Sequence, residues 1–278
     1  MKAEESIRKI CKELEREHNI TVLFAVESGS RAWGVESRDS DYDVRFVFKR
    51  PLKEYISIHL PGDVITAHYD KEGKKSQAQG CCIDACGFDV FKFSRMLASS
   101  NPTTIEWLQT NILYYGERPT IWESYAENQF NPISIYHHYK AMCRQNYRKY
   151  LKSGKEVTYK KVLYAMRGLI NAKLIATTGL LPFIDFNMTL KHFKEMNAIL
   201  LEKEHDVPNS ILKKLEQIVR LKKEGNEQER VENIGEIESY IEDELADDSG
   251  APTEKRHGLQ KELDKELRNI ILGKGRML

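Results

Sequence analysis

The stretch from Thr21 to Phe48 limits what this chain can fold into more than any other. Thr21-Val22-Leu23-Phe24-Ala25-Val26 is a short β-branched and apolar run, the composition of a buried strand. It stops at the turn cluster Glu27-Ser28-Gly29-Ser30. Arg31-Ala32-Trp33-Gly34 suits a brief helical turn, and Ser37-Arg38-Asp39-Ser40 a polar loop. From Asp41 to Phe48 the pattern alternates. Tyr42, Val44, Phe46 and Phe48 share one face, and Asp41, Asp43, Arg45 and Val47 the other. That period of two predicts a second strand with one face in the core and one toward a polar cleft. Val64–Tyr69 and Cys81–Cys86 are further strand candidates, with the solvated turn Lys71-Glu72-Gly73-Lys74-Lys75 between them.

Helical periodicity flanks this block. Ile7, Ile10, Cys11 and Leu14 place an amphipathic helix over residues 3–17. After Gly87 the pattern is mostly helical: Asp89 can cap a helix to about Ala98, and Pro102 opens another. Residues 134–152, 158–178, 189–204, 209–223 and 230–246 follow, with Pro132, Pro182 and Pro208 between segments. Asp247–Thr253 reads as a linker and 254–273 as a charged terminal helix. The expected class is α+β: a sheet domain over 1–125, a helical domain over 126–247, and a C-terminal helix within 254–278.

The 43 basic and 42 acidic residues give a net charge of +1, so no bulk charge marks a nucleic-acid binder, though a local patch is compatible. No run of about 18 apolar residues marks a membrane span, and the charged N-terminus lacks the apolar core of a signal peptide. The five cysteines are odd in number and lack disulfide-framework spacing, which predicts a cytoplasmic protein with reduced thiols. Cys81, Cys82 and Cys86 with His68 upstream invite a soft-metal reading, but no C-x₂-C pair supports it, and packed thiols are the better expectation. His137 and His138 likewise show no metal spacing.

Chemistry concentrates at Gly29-Ser30, ten residues, then Asp41-Tyr42-Asp43. Carboxylates at i and i+2 of a strand project from one face, roughly 6–7 Å apart. That separation lets both reach one or two Mg²⁺ ions, which take oxygen ligands and keep room for substrate phosphates. Glycine at the preceding strand's end permits close backbone approach, and the turn amides with the Ser30 hydroxyl can cradle a phosphate. Either element alone is commonplace; together they place a phosphate cradle and a metal-binding pair at the ends of neighbouring strands.

This arrangement resembles the DNA polymerase β-type nucleotidyltransferases, whose motif is G-[GS], a spacer, then [DE]-h-[DE]-h. The longer string Glu27–Gly34, Ser37, Asp39–Arg45 and Arg50-Pro51 is similar to the nucleotidyltransferase group linked with RNA repair. Gly87-Phe88-Asp89 with Lys92, Ser100-Asn101-Pro102 with Glu106-Trp107-Leu108, and Lys161 through Tyr164 to Arg167 extend the likeness over about residues 20–190. The resemblance implies a third carboxylate on a later strand. Asp84, an aspartate inside an apolar strand, is the candidate, and Asp89 the rival, for which a helix N-cap role suffices. It further implies a two-metal Mg²⁺ reaction. Asp41, Asp43 and Asp84 would hold the metals, and Gly29 and Ser30 the phosphates of an NTP.

Arg31, Lys161 and Arg167 are weaker nucleotide-binding candidates. An ordinary solvated helix face competes for the latter two, and for Arg45 a salt bridge to Asp43 competes with substrate contact. Tyr136, Tyr139, Tyr147 and Tyr150, interleaved with Lys140, Arg144, Arg148 and Lys149, could stack on bases and pair with phosphates. Alternatively they form a half-buried helix with snorkelling cations. The expected activity is transfer of an NMP to an acceptor hydroxyl with release of pyrophosphate. The acceptor expected is a hydroxyl on RNA, on a small molecule or, as in AMPylation by antitoxin-like enzymes, on a protein. A nucleotide- or RNA-binding module without turnover is the competing class, and the oligomeric state is left open.

Overall fold

The computed structural model describes residues 2–70, 72–76, 82–152, 157–199, 207–225, 229–231, 233–254 and 260–273. Lys71, Cys81, residues 200–204, Glu232 and residues 255–259 of the expected elements lie outside them. The chain divides into two units. The first holds Met1–Ala32, Asp41–Phe130 and His257–Leu278; the second holds Trp33–Ser40 and Asn131–Arg256. The terminal helix thus groups with the sheet, and the short loop inside the Gly-Ser to Asp motif groups with the helices.

In the first unit, α1 (Lys2–His18) is followed by β1 (Thr21–Ser28), the single-turn α2 (Gly29–Ala32) and β2 (Tyr42–Lys49). Then come α3 (Leu52–Tyr55), β3 (Val64–Tyr69), β4 (Ile83–Asp89), α4 (Val90–Ala98) and α5 (Pro102–Gln109). β5 (Leu113–Gly116) and α6 (Thr120–Asn128) close the segment, and α12 (Gln260–Leu272) joins from the chain's end. The five strands order as β3-β4-β2-β1-β5. β2 and β4 are parallel and every other pair is antiparallel.

Both faces of the sheet are covered, which explains why its strands are richer in apolar residues than a simple alternation gives. Ile7, Ile10, Cys11 and Leu14 of α1 pack with Val22, Ala25, Val44, Phe46 and Phe48 on one face. On the other, Phe24 meets Phe93 of α4 edge-on at 5.8 Å, and Phe93 continues to Trp107 and Trp122. Val22 and Phe24 therefore face opposite ways although they are two apart, because the β1–β2 register shifts between them. Such a bulge inserts one residue and reverses the parity of everything after it. Glu27 is carried by this shift to the face of Ala25 and Val44.

The cap expected at Asp89 forms: its side chain accepts from the Phe91 amide at the start of α4. Pro102 opens α5 as expected, and Asn101 ahead of it accepts from the Thr103 amide, a cap not foreseen from the sequence. Three elements were not foreseen: α3, β5 and α6. Each is short, four to nine residues, too brief for its apolar period to stand out.

The second unit contains α7 (Pro132–Asn146), which continues as a π-helical turn (Tyr147–Leu151), then α8 (Tyr159–Thr178), α9 (Phe186–Ile199), α10 (Asn209–Glu224) and α11 (Gly235–Ala246). Its core runs through Val162, Met166, Leu169, Ile170, Phe193, Leu215 and Ile241, and includes Val35 from the motif loop. Lys222, fully buried, donates to the Val35 carbonyl at 2.6 Å. No helix among the described residues is long and apolar enough to cross a membrane.

Two consequences are measurable. Gly87 stands opposite Phe46 in the β2–β4 ladder, and a methyl group there would lie 2.1 Å from the Phe46 ring, itself fully buried. Gly87→Ala should cost about 1–3 kcal/mol in urea unfolding, the usual penalty of overpacking. Burial pushes the Cys11 and Cys143 thiols up to about 12. In native protein at pH 8 these two should react with a disulfide reagent far more slowly than partly exposed Cys82, and the difference should vanish on denaturation.

Candidate active site

Three strand ends meet at one edge of the sheet. β1 finishes at Ser28, antiparallel β2 starts at Tyr42, and parallel β4 starts at Ile83. Ser28 pairs with Asp43, Asp43 with Asp84, and Asp84 with His68 of β3. Two of the three expected carboxylates therefore stand in register on neighbouring strands. Asp41 lies one residue ahead of β2 rather than inside it, because the first ladder bond is Tyr42 N–H to the Cys82 carbonyl. Asp89 is at the far end of β4, where it caps α4 and accepts from the Tyr55 hydroxyl at 2.8 Å. Five residues of strand, about 17 Å, separate it from Asp84.

Gly29 takes the left-handed conformation, φ 63°. A β-carbon there would lie 2.0 Å from Asp43 Oδ2. Only glycine lets the turn press against that carboxylate, so the close approach expected of Gly29 is made first of all to Asp43. Ser30 is buried beside it.

Arg45 binds the carboxylates together. Its Nη2 donates to Asp43 Oδ1 at 2.8 Å and to Asp84 Oδ2 at 2.9 Å, while Nη1 donates to the Asp84 carbonyl at 2.9 Å. Of the two readings for Arg45, the salt bridge is the one formed. His68 Nδ1 lies 3.0 Å from the other Asp84 oxygen, so both Asp84 oxygens are engaged. Arg45 is thus the cation set between these two carboxylates.

Behind it sits Glu27, 1% exposed. Its carboxylate accepts from the Asp43 amide at 2.7 Å and from the Tyr114 hydroxyl. Burial pushes its pKa up to about 7, against the lowering effect of those two donors. Glu27, Tyr114 and His68 were not among the expected site residues. A glutamate closing an apolar strand carries the same signal that singled out Asp84. The other two depend on cross-strand register.

The nucleotide-binding candidates fare differently. Arg31 donates from Nε to the Asp41 carbonyl at 3.1 Å and lies 4.0 Å over the Tyr42 ring, at the same edge. Lys161 and Arg167 belong to the second unit. Lys161 sits on the first turn of α8 with Nζ 5.8 Å over Tyr150. Arg167 is 3% exposed and stacks 4.0 Å over Trp33, so it lines no solvated helix face. Base stacking by Tyr136, Tyr139 and Tyr147 is corrected too, since all three rings are buried.

A glycine turn and convergent carboxylates at one edge of a mixed sheet define a nucleotidyltransferase of the DNA polymerase β type. The chain belongs to the RNA repair pathway DNA polymerase beta family (RlaP), whose model matches residues 3–269. It is 31% identical over 263 residues to YcgL, an uncharacterized protein of Bacillus subtilis (strain 168), covering 94% of this chain and 92% of that one. Two solved structures are similar. The first is spectinomycin adenyltransferase AAD(9) from Enterococcus faecialis, with ATP and spectinomycin: TM-score 0.46, 12% identity, 87% of this chain and 99% of that one. The second is a nucleotidyltransferase-like protein from Exiguobacterium sibiricum 255-15: TM-score 0.32, 14% identity, 78% and 74% covered.

Glu27 gives a pH test. Its folded pKa is raised, so the folded state holds a proton that the unfolded chain has already released. Stability conferred by the protonated form is present at low pH and falls as pH climbs from the ordinary carboxylate value to about 7. With EDTA present, Glu27→Gln should gain on wild type by about 3 kcal/mol across that window and level off above it. Urea unfolding at several pH values measures this; a difference independent of pH contradicts it.

Proposed function

We propose that this enzyme transfers a nucleoside monophosphate from an NTP to a hydroxyl of RNA, with Mg²⁺ and with release of pyrophosphate. The observation carrying this reading is the in-register pair Asp43 and Asp84, with the Gly29 turn pressed against Asp43. Aligned carboxylates at a strand edge concentrate negative charge where only a cation relieves it. The donor set fits a hard divalent ion: the oxygens of Asp41, Asp43 and Asp84, with one imidazole at the margin. Among the described residues no ready-made cluster of three ligands stands around one point, since Arg45 fills the place between Asp43 and Asp84.

Asp41 and Asp43 would be the principal metal ligands, with Asp84 as the third. Bound Mg²⁺ supplies charge neutralisation of the triphosphate and of the entering and leaving oxygens. The chain's own residues do the rest. The Gly29 turn and Ser30 hold the terminal phosphates through close backbone approach. Asp84 would favour deprotonation of the attacking hydroxyl, whose proton passes to solvent; the new oxygen–Pα bond forms as the bond from Pα to the bridging oxygen breaks, and pyrophosphate carries off that electron pair. Arg45 keeps Asp43 and Asp84 converging before substrate arrives. Glu27 fixes the Asp43 backbone. Arg31 adds positive charge at the rim.

Incubation with each of four labelled NTPs and Mg²⁺, with and without RNA, tests this. Label on RNA with stoichiometric pyrophosphate is expected, abolished by Asp41→Ala/Asp43→Ala in protein that circular dichroism shows to be still folded. Label on a protein would replace the RNA reading with AMPylation, and nucleotide binding without pyrophosphate would replace enzyme with binding module. Undiminished turnover by the double variant overturns the site.

A further inference from the structure

The mixed aromatic and basic stretch from Tyr136 to Tyr150 separates into two faces. Ile135, Tyr136, Tyr139, Lys140, Cys143, Tyr147 and Leu151 are buried. After Cys143 the buried positions recur every fourth residue, which an α-helix of 3.6 residues per turn cannot hold on one side for long. The π-helical turn Tyr147–Leu151, closed by Lys152 N–H to the Tyr147 carbonyl at 3.0 Å, has the wider turn that keeps Tyr147 and Leu151 inward. Single π-turns of this kind occur often at functional sites.

Ala141, Arg144, Gln145, Arg148 and Lys149 line an open groove of about 410 Å³ on the outer side. Among the described residues no acidic side chain lines it. The neighbouring cations are already engaged: Lys152 with Glu242, Lys173 with Glu244, and buried Lys140 with Asp248 and the carbonyls of Glu244 and Asp247. Among the described residues, Arg144, Arg148 and Lys149 form no ion pair, and the latter two are exposed. Beside them the half-buried Tyr150 ring carries two ammonium groups, Lys149 at 4.8 Å and Lys161 at 5.8 Å.

We propose that this groove binds the phosphate backbone of single-stranded RNA. The proposal rests on the nucleotidyl-transfer reading for its choice of RNA as the polyanion. Arg144 and Arg148, four residues apart and so roughly 6 Å apart along a helix, meet successive charges of an extended polyanion. A tyrosine set among them adds the stacking surface that single-strand binders combine with positive charge. An acidic protein segment would use the charges and leave the ring without a role.

The test is anisotropy of a labelled, unstructured oligouridylate titrated with full-length protein at several salt concentrations. Each phosphate contact contributes a slope of about 0.7 in log K against log salt for single strands, so Arg144→Ala/Arg148→Ala/Lys149→Ala should flatten the slope by about 2. The same relation predicts roughly 10- to 100-fold weaker binding at ~0.1 M salt. Arg148→Glu alone should weaken binding measurably and guards against misfolding of the triple variant. Asp41→Ala/Asp43→Ala should bind RNA with the wild-type slope, so loss of turnover and loss of docking are distinguishable. Unchanged slope and affinity in the folded triple variant overturn the proposal, as does absence of RNA binding by wild type. Equal competition by polyglutamate would assign the groove to an acidic protein instead.

Discussion

The contact between Arg45 and two aspartates is the constraint around which the sheet edge is arranged. Asp43 and Asp84 are paired residues of adjacent strands, and strand spacing sets such neighbours about 4.8 Å apart. Left alone they would repel. Arg45 meets one at 2.8 Å and the other at 2.9 Å. Coulomb energy falls with distance, so two close attractions outweigh one longer repulsion at equal screening. All three side chains keep some exposure, so solvent weakens both terms alike. The comparison of signs survives that screening better than any absolute energy. The guanidinium thus holds the two carboxylates gathered at one point of the sheet.

The geometry of that contact depends on backbone features further back. The register shift in β1 turns Glu27 to the face of Val44, from which its carboxylate accepts the Asp43 amide. Without the shift that position would face the α4 side, and the Asp43 N–H would need another acceptor. Tyr114, from the short strand β5, occupies the second oxygen. A carboxylate so deeply placed keeps its charge only through such donors, which is why burial and hydrogen bonding pull its pKa in opposite directions. Gly29 completes the set, since any β-carbon would displace the Asp43 carboxylate.

How much of this could be read in advance follows from the range of each interaction. The strands around Phe24 to Phe48, the turn at Gly29 and the cap at Asp89 are local, governed by residues within a few positions. Asp84 was legible for a related reason: a carboxylate within an apolar run demands a partner. Its partners were not. Arg45, His68 and Asp84 meet only because β2, β4 and β3 pair in one register, and no local pattern encodes the offset between strands 40 residues apart. Glu27 was legible in kind and overlooked. Arg167 misled because a basic residue on a helix usually faces water, whereas here it is covered by Trp33, 134 positions earlier in the chain.

That last contact bears on the motif's spacing. The loop Trp33–Ser40 groups with the helices. The Trp33 carbonyl accepts from the Phe186 amide at 2.9 Å, the Gly34 carbonyl from Asn187 Nδ2 at 2.9 Å, and the Val35 carbonyl from buried Lys222 at 2.6 Å. Trp33 meets Tyr164 edge-on at 5.4 Å and lies beneath Arg167. A buried ammonium is costly unless its hydrogen bonds are made, so Lys222 fixes the loop as firmly as the loop satisfies Lys222. A plain strand-to-strand hairpin could join β1 to β2 with two to five residues. The ten between Ser30 and Asp41 exceed that need because they carry side chains and carbonyls that complete a helical core. The spacing between the Gly29 turn and Asp41 is therefore a property of the packing around the Trp33–Ser40 loop.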